Sequence, residues 1–303
     1  MISRSLLWAS EKPRVQKLIT QGKLGRAVVG RFVAGDDLED AIGAIRELNA
    51  RGIGGILDLL GEGVTDSSGV EVAVEDYLAA IKRINETGID TTISVKPSQL
   101  GTSLDKGTAL DHLRRLAAEA QAVGSRVEID MEQSDLVSDT LDLYRTLHAD
   151  FTELRLAMQA YLRRTPVDLQ LMASLRPRIR LVKGAYAEPE TLAFQKKKEV
   201  DAQYVFLIDW LFEQGSDPGI ATHDDKLIEH AMAAAARTGT GKEGFEIQML
   251  YGIRRDLQDE LAGKGYRVRV YVPYGSAWYP YLMRRMAERP ANIRFFLRAL
   301  RGR

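Results

Sequence analysis

The stretch RVEIDMEQS, at residues 126–134, alternates apolar and charged side chains. In an extended strand successive side chains point to opposite faces, so every second residue shares a face. One face holds Val127, Ile129 and Met131, and the other holds Glu128, Asp130 and Glu132. The pattern predicts a β-strand whose apolar face packs on a neighbouring layer and whose acidic face needs cationic or hydrogen-bonding partners.

Similar short runs, rich in β-branched residues, recur along the chain and alternate with stretches of helical periodicity. The runs lie at residues 54–62, 91–101, 126–134, 153–161, 178–186, 219–225, 245–252 and 268–275. This repeat predicts βα units, and eight of them within roughly 250 residues are typical of a closed (β/α)8 barrel of the TIM type. We therefore expect an α/β fold with the barrel at residues 51–303. An N-terminal helical segment at residues 1–50 precedes it and ends in the helical pattern DDLEDAIGAIRELN.

Several runs carry charge on the face opposite their apolar residues. Because the face toward the surrounding helices must be apolar, we expect the charged face to point toward the barrel axis. The expected axial residues include Glu128, Arg155, Arg178, Arg180, Glu246, Gln248 and Arg269. Buried charges are costly unless they pair, so the sequence predicts a lattice of carboxylates and guanidinium groups. Its lower layer is compatible with a purely structural role, whereas the carboxyl ends of the strands are where such barrels carry out chemistry.

The predicted strand ends carry many cations and hydrogen-bond donors. They are Lys96, Asp130, Gln159, Arg180, Lys183, Tyr186, Thr222, His223, Gln248 and Tyr271, and the doublet Arg284–Arg285 follows the last strand. This set suits an anionic substrate, a phosphate-bearing cofactor, or both. Since Lys183 precedes a glycine, backbone N–H groups there can approach an oxyanion. No second histidine lies at ligand spacing from His223, so we expect no zinc site.

Composition narrows the possible functions. The chain has 42 basic and 42 acidic residues, which argues against a nucleic-acid partner. It has no cysteine, which excludes disulfides, thiolate metal sites and cysteine nucleophiles. No stretch approaches the length of a membrane-spanning apolar helix. We expect a cytoplasmic protein that associates with a membrane at most peripherally, at its inner face.

Six motifs occur together in an order and spacing that resemble a known family. They are SVKPSQLG (94–101), IDMEQS (129–134), RLVKGAY (180–186), ATHD (221–224), FEIQMLYG (245–252) and YVPYGSAWYPYLMRRMAERPAN (271–292). Over roughly residues 30–300, the chain resembles the FAD-dependent proline dehydrogenases in their short, monofunctional form. The resemblance implies a distorted (β/α)8 barrel with non-covalent FAD at its carboxyl end.

The resemblance also implies roles for individual residues. The implied catalytic residues are Lys96, Asp130, Arg180, Tyr271, Arg284 and Arg285. The implied substrate-binding residues are Lys96, Tyr186, Leu250, Tyr271, Tyr281, Arg284, Arg285 and Glu288. The implied FAD-binding residues are Asp130, Met131, Gln159, Arg180, Val182, Lys183, Gly184, Ala185, Thr222, His223 and Gln248. In long bifunctional relatives an asparagine follows the histidine, so no cofactor contact is carried over to Asp224.

The function implied by the resemblance is oxidation of L-proline to Δ1-pyrroline-5-carboxylate, with hydride transfer from C5 to the flavin N5. A quinone is the implied electron acceptor. Because the chain lacks a cysteine nucleophile, a separate pyrroline-5-carboxylate dehydrogenase is the expected downstream partner. The residues alone leave other readings open. These are a Schiff-base aldolase that uses Lys96 or Lys183, a flavin barrel acting on a folate, and a non-catalytic ligand-binding barrel.

Overall fold

A computed structural model of the chain describes residues 30–61, 64, 66–278 and 281. Parallel strands in sequential order form a closed barrel, and the last strand pairs with the first. The strands are β1 (Gly54–Leu59), β2 (Thr91–Val95), β3 (Val127–Ile129), β4 (Arg155–Gln159), β5 (Arg178–Val182), β6 (Ser216–Ala221), β7 (Glu246–Leu250) and β8 (Arg267–Tyr274). The helices of the described part are α1 (Leu38–Asn49), α2 (Ser67–Thr87), α3 (Lys106–Ala122), α4 (Val137–His148), α5 (Thr165–Gln170), α6 (Lys197–Gln214), α7 (Asp225–Thr238) and α8 (Arg255–Gly263).

The closed eight-stranded barrel confirms the predicted fold, and each predicted run overlaps one strand. Most strands are shorter than the predicted runs, and the boundaries of β3 and β6 differ most in their consequences. The strand β3 ends at Ile129, so the alternation of faces that we predicted through Glu132 stops three residues earlier. The strand β6 begins at Ser216, ahead of the predicted run. Its pairing with β5 shifts register between Arg178 and Arg180, which makes the barrel irregular.

Local sequence signals define the helix ends. The carboxylate of Asp66 accepts a hydrogen bond of 2.9 Å from the Gly69 N–H and thereby begins α2. The same helix ends at Gly88, which adopts φ of 63°, a left-handed conformation that glycine adopts without strain. No helix in the described part of the chain is both long and apolar enough to cross a membrane.

The helix α1 packs against β1 and β8, the two strands that close the barrel. Its buried side chains, including Ile42, Ile45 and Leu48, belong to the same apolar core as the strands. We call residues 31–35, which precede this helix, the strap. The Ala34 N–H donates to the Pro273 carbonyl at 2.9 Å, and the Gly275 N–H donates to the Gly35 carbonyl at 3.0 Å. The strap is thus fastened to the carboxyl end of β8.

The lower part of the barrel axis holds the predicted lattice of charges. Arg155 is completely buried, and its guanidinium donates to Glu246 at 2.6 Å and to Asp217 at 2.7 Å. Burial alone would raise the pKa of Glu246, but Arg155 and Arg269 outweigh burial and hold this pKa well below its usual range. The lattice therefore keeps its carboxylates ionised inside the barrel.

Candidate active site

A cleft of about 350 Å³ opens where the carboxyl ends of the strands meet. Every predicted site residue in the described part of the chain lines it. These residues are Lys96, Asp130, Met131, Gln159, Arg180, Val182, Lys183, Gly184, Ala185, Tyr186, Thr222, His223, Gln248, Leu250, Tyr271 and Tyr281. The predicted residues Arg284, Arg285 and Glu288 lie outside the described residues. Among the residues that the structure describes, no group of acidic and histidine side chains could hold a metal ion.

Asp130, which follows β3, is the centre of the polar network. Its carboxylate accepts hydrogen bonds from the Tyr271 hydroxyl at 2.7 Å, from the Ser94 hydroxyl at 2.9 Å and from Arg180. The ammonium of Lys96 lies 3.3 Å away. Burial alone would raise the pKa of Asp130, but Arg180 and Lys96 outweigh burial and lower it. The network thus holds an ionised carboxylate with several donors at once.

Lys96 leaves β2 immediately before Pro97 and is only 4% exposed. In addition to Asp130, its ammonium contacts Asp58, which belongs to β1 and is 1% exposed. Burial alone would lower the pKa of Lys96, but Asp58, with further contributions from Tyr271 and Asp130, outweighs burial and raises the pKa well above its usual value. The lysine is therefore held as a cation at the cleft.

Arg180 lies in the middle of β5 rather than at its end, yet its side chain reaches the cleft. One guanidinium nitrogen donates to Ser94 at 3.0 Å, and the guanidinium carbon lies 5.3 Å from the centre of the Tyr271 ring. Nε and Nη1 are buried and make no hydrogen bond to a described residue, although Nη1 is 3.6 Å from Glu128. Arg180 therefore joins the cleft to the charge lattice below it and retains donor capacity.

On the opposite side of the cleft, Lys183 and Gly184 follow β5. Lys183 donates to Asp201 at 2.6 Å and lies 3.4 Å from Asp224, so two carboxylates compensate its charge. Gly184 has φ of 106°, and a Cβ atom there would lie 2.0 Å from the ring of Tyr161. Glycine is thus required at this position by the packing of Tyr161 as well as by its backbone conformation.

Two further predicted residues make structural hydrogen bonds at the cleft. The Leu250 N–H donates to His223 Nε2 at 2.9 Å, which connects the ends of β6 and β7. The side-chain amide of Gln248 donates to Glu246 at 2.7 Å, while its Oε1 is buried and accepts no hydrogen bond from a described residue. These bonds hold both side chains in place at the cleft wall.

The sequence interpretation missed several lining residues. They are Phe32, Asp58, Ala157, Ala221, Met249, Tyr251 and Ile253. A signal for Asp58 was available, because it is the single charged residue among the strand residues 54–59. Lys197 lies in the run of three lysines at residues 196–198, which is typical of a solvated helix face. Lys197 is 72% exposed at its side chain but contacts Asp201 and lies 3.3 Å from Asp224.

Comparison with known proteins gives matches over most of the chain. A family model described as proline dehydrogenase matches residues 41–298. The proline dehydrogenase of Deinococcus radiodurans is 39% identical over 302 residues, which cover 98% of this chain and 97% of the relative. Proline dehydrogenase 1 of Bacillus subtilis (strain 168) is 40% identical over 270 residues, which cover 89% of each chain.

Solved structures agree on the fold. Proline utilization A (PutA) from Bdellovibrio bacteriovorus, inactivated by N-propargylglycine, matches with a TM-score of 0.82 and 22% identity. The match covers 91% of this chain and 34% of the solved chain, so the present chain spans about a third of that protein's length. At this identity the likeness supports the barrel fold alone. The family model and the relatives near 40% identity carry the further conclusion: the chain belongs to the proline dehydrogenase family, whose members oxidise proline.

Proposed function

We propose that this protein oxidises L-proline to Δ1-pyrroline-5-carboxylate with FAD as its cofactor, as the first step of proline catabolism. The observation that carries the proposal is the joining of Lys96, Asp130, Arg180 and Tyr271 in one network at the carboxyl end of the barrel. Membership of the proline dehydrogenase family supports the choice of substrate.

The hydrogen-bond donors and acceptors that line the cleft suit a flavin cofactor. Arg180 keeps buried N–H groups that make no hydrogen bond to a described residue, and Gln248 keeps a buried acceptor of the same kind. The edge of an isoalloxazine ring carries both hydrogen-bond acceptors and a donor, so it suits the N–H groups of Arg180 and the side-chain oxygen of Gln248. Gly184 lines the cleft and has no side chain, so it contributes backbone atoms to the cleft wall. The proposed FAD-binding residues are Asp130, Met131, Gln159, Arg180, Val182, Lys183, Gly184, Ala185, Thr222, His223 and Gln248.

The carboxylate of proline requires cations. Lys96 supplies one, because the adjacent Asp58 raises its pKa and keeps it charged. In the proposal Arg284 and Arg285, paired with Glu288, supply the others from the segment after β8. The walls around the pyrrolidine ring come from Tyr186, Leu250, Tyr271 and Tyr281, which all line the cleft. Aromatic walls fix the orientation of the ring and exclude water from it.

In the reaction, proline loses a hydride from C5 and a proton from nitrogen, and a C5=N double bond forms. The bound flavin supplies the acceptor for the hydride, at N5. Asp130 is unsuited to accept the proton, because Arg180 and Lys96 lower its pKa and it already accepts several hydrogen bonds. We therefore propose that the site selects proline with an unprotonated amine, so that only one proton remains to be lost, from the iminium product.

The alternative of a Schiff-base aldolase is disfavoured by the state of Lys96. A lysine that forms a Schiff base must lose its proton to become a nucleophile. Asp58 raises the pKa of Lys96 well above its usual value, which opposes that step. Lys183 is likewise held by Asp201, at 2.6 Å.

The oxidation of proline needs an electron acceptor and an enzyme that consumes the product. We propose a quinone as the electron acceptor, reached by peripheral contact of a cytoplasmic protein with the inner face of the membrane. A separate pyrroline-5-carboxylate dehydrogenase would consume the product.

The test uses the full chain supplied with FAD. We expect the purified protein to show the visible absorption band of oxidised flavin, and we expect L-proline to bleach it without oxygen. The cyclic imine product is trapped with o-aminobenzaldehyde, and D-proline is the control. Protein that retains no flavin would refute the cofactor, and bound flavin that L-proline fails to bleach would refute the substrate. Arg284→Ala should raise the KM for proline far more than it lowers the flavin content.

A further inference from the structure

One wall of the cleft is a short segment that follows β5. It consists of Lys183, Gly184, Ala185 and Tyr186, which all line the cleft. The start of this segment is anchored to the end of β4, because the Tyr161 N–H donates to the Lys183 carbonyl at 2.8 Å. The ring of Tyr161 also occupies the space beside Gly184. The first half of the segment is therefore fixed by the barrel.

The other end of the segment is anchored to a different loop. The carboxylate of Glu188 accepts two hydrogen bonds from Ser134, one from its N–H at 2.7 Å and one from its hydroxyl at 2.6 Å. We call this pair the 188–134 clamp. Ser134 lies in the loop between β3 and α4, which also contributes Met131 to the cleft. The clamp thus connects the loop after β5 to the loop after β3.

The clamp lies directly beside Tyr186. The Glu188 N–H donates to the Tyr186 carbonyl at 3.0 Å, so the two residues share one tight turn. The Glu188 carbonyl in turn accepts from the side-chain amide of Gln195 at 3.1 Å. Movement of Glu188 away from Ser134 would therefore carry the Tyr186 backbone with it.

The same bonding pattern occurs once more in the described loops. The carboxylate of Glu132 accepts from the Ser98 N–H at 2.8 Å and from the Ser98 hydroxyl at 2.6 Å. Ser98 follows β2, next to Lys96. Two carboxylate–serine contacts therefore join the loops after β2, β3 and β5 into one rim. Hydrogen bonds to an ionised acceptor are stronger than neutral ones, so such contacts can fix loops that otherwise move.

We propose that Glu188 is a positioning residue, which acts through the 188–134 clamp to hold Tyr186 against the substrate end of the cleft. The proposal rests on the function proposed above, because it assigns Tyr186 to the wall around proline. Binding residues must be held within a few tenths of an ångström to be effective, and a free loop cannot do this. Loss of the clamp should weaken proline binding and leave the network around Asp130 intact, because Tyr271, Ser94 and Lys96 hold Asp130 through contacts that do not involve the clamp.

The experiment compares Glu188→Ala with Glu190→Ala. Glu190 is an exposed carboxylate of the same loop, and its carbonyl, rather than its side chain, bonds to Arg163. We expect Glu188→Ala to raise the KM for proline about tenfold, equivalent to about 1.4 kcal/mol of lost binding. We expect kcat to change by less than roughly twofold, because the lost interaction affects binding and not the reacting atoms. Glu188→Gln, which retains one accepting oxygen, should fall between Glu188→Ala and the wild type, and Glu190→Ala should match the wild type.

A double-mutant cycle tests whether Ser134 is the residue through which Glu188 acts. Ser134→Ala should raise KM alone but add nothing in the Glu188→Ala background, as expected for two residues that act through one contact. Additive effects, or equal KM values for Glu188→Ala and Glu190→Ala, would overturn the proposal.

Hydrogen exchange provides a readout that does not depend on activity. Amides of residues 183–188 should exchange faster in Glu188→Ala, while those of β5 stay protected. If wild-type protein fails to oxidise proline, the proposed function is wrong, yet exchange still tests the clamp. If the wild type is active and exchange at residues 183–188 is unchanged in the variant, the clamp proposal alone is wrong.

Discussion

Asp58 on β1 contacts the ammonium of Lys96 at the end of β2, and both side chains are nearly buried, with exposed fractions of 1% and 4%. The pair joins neighbouring strands at the floor of the cleft. Burial alone would lower the pKa of Lys96, but Asp58, together with Tyr271 and Asp130, raises it, and Asp58 has the largest effect of the three. A residue that the sequence interpretation overlooked therefore helps to keep a residue that it selected in the charged state.

Asp58→Asn should make Lys96 easier to deprotonate, since it removes the charge that raises the pKa of the lysine. The wild-type ammonium persists to high pH, so the loss of carboxylate binding on alkaline titration should begin at lower pH in the variant. Binding of cyclopentanecarboxylate, which has no amine of its own to titrate, measures this effect. Asp135→Asn changes an exposed carboxylate in the loop after β3 and is the control. Identical alkaline limbs in the wild type and Asp58→Asn would contradict the expectation.

Tyr271→Phe should raise the pKa of Asp130, because it removes a hydrogen bond of 2.7 Å that stabilises the carboxylate. The aspartate then becomes protonated at a higher pH, so the acid limb of the kcat/KM profile should move to higher pH. At neutral pH we expect kcat/KM to fall about tenfold, the loss expected for a hydrogen bond to a charged group. The ring and its contact with Arg180 remain in this variant. An acid limb that does not move would refute the role of the hydroxyl.

Gly184→Ala should destabilise the protein by about 2–5 kcal/mol, because backbone strain and a clash with Tyr161 act together. The matched control is Gly239→Ala, since Gly239 also has positive φ but no heavy atom lies within 4 Å of a Cβ placed there. It should lose only about 1–2 kcal/mol. Urea unfolding measures both. Equal losses would mean that the packing of Tyr161 imposes no requirement for glycine.

Asp224→Asn should strengthen FAD binding by about two- to fivefold, the range expected from a partly exposed ion pair. Asp224 lies 3.4 Å from Lys183, so the substitution leaves more of the lysine's charge available for a phosphate. Flavin titration of the apoprotein gives the affinity. Asp225→Asn is the control, because Asp225 pairs with Arg254 instead. Weaker binding by Asp224→Asn would contradict the proposed role of Lys183 in binding FAD.

Arg155→Met should lower the free energy of unfolding at pH 7 by about 3–5 kcal/mol, because Glu246 and Asp217 lose a fully buried cation. In the wild type the folded-state pKa of Glu246 lies well below the usual 4.5. The stabilisation is therefore fully present above pH 4.5 and is lost as the pH falls through the folded-state value, and the deficit of the variant should shrink accordingly. Urea unfolding between pH 7 and 3.5 follows it, with Arg145→Met, at a surface pair of 3.6 Å, as the control.

The fold was predictable because the alternation of apolar and charged residues marks each strand, and eight such strands alternating with helices are typical of a closed barrel. Because helices pack against the apolar face of runs such as RVEID, the charged face must point toward the barrel axis. The alternation failed at Met131, predicted on the helix-facing side, because β3 ends at Ile129 and the period of two ends with it. Met131 instead lines the cleft, where the resemblance to the family had placed it.

The remaining parts of the site depend on contacts between distant parts of the sequence. Asp201, on α6, pairs with Lys183, but no pattern in the sequence of α6 indicates that this helix reaches the carboxyl end of the barrel. Phe32 lines the cleft although it precedes the first strand, and no periodic pattern connects the strap to β8. Such contacts follow from how the closed barrel brings its ends together, which short sequence patterns do not encode.

The strap has a consequence for the order of folding. Its partners Pro273 and Gly275 follow it by about 240 residues in the chain, so the strap can form its hydrogen bonds only after β8 has been synthesised and has folded. Phe32 takes its place in the cleft wall only then. Ligand binding is then available only to chains whose barrel has closed. During refolding, we expect recovery of flavin binding to coincide with the slowest structural step and to follow the appearance of helical signal. The cofactor would therefore serve as a reporter of the joining of the two ends of the barrel.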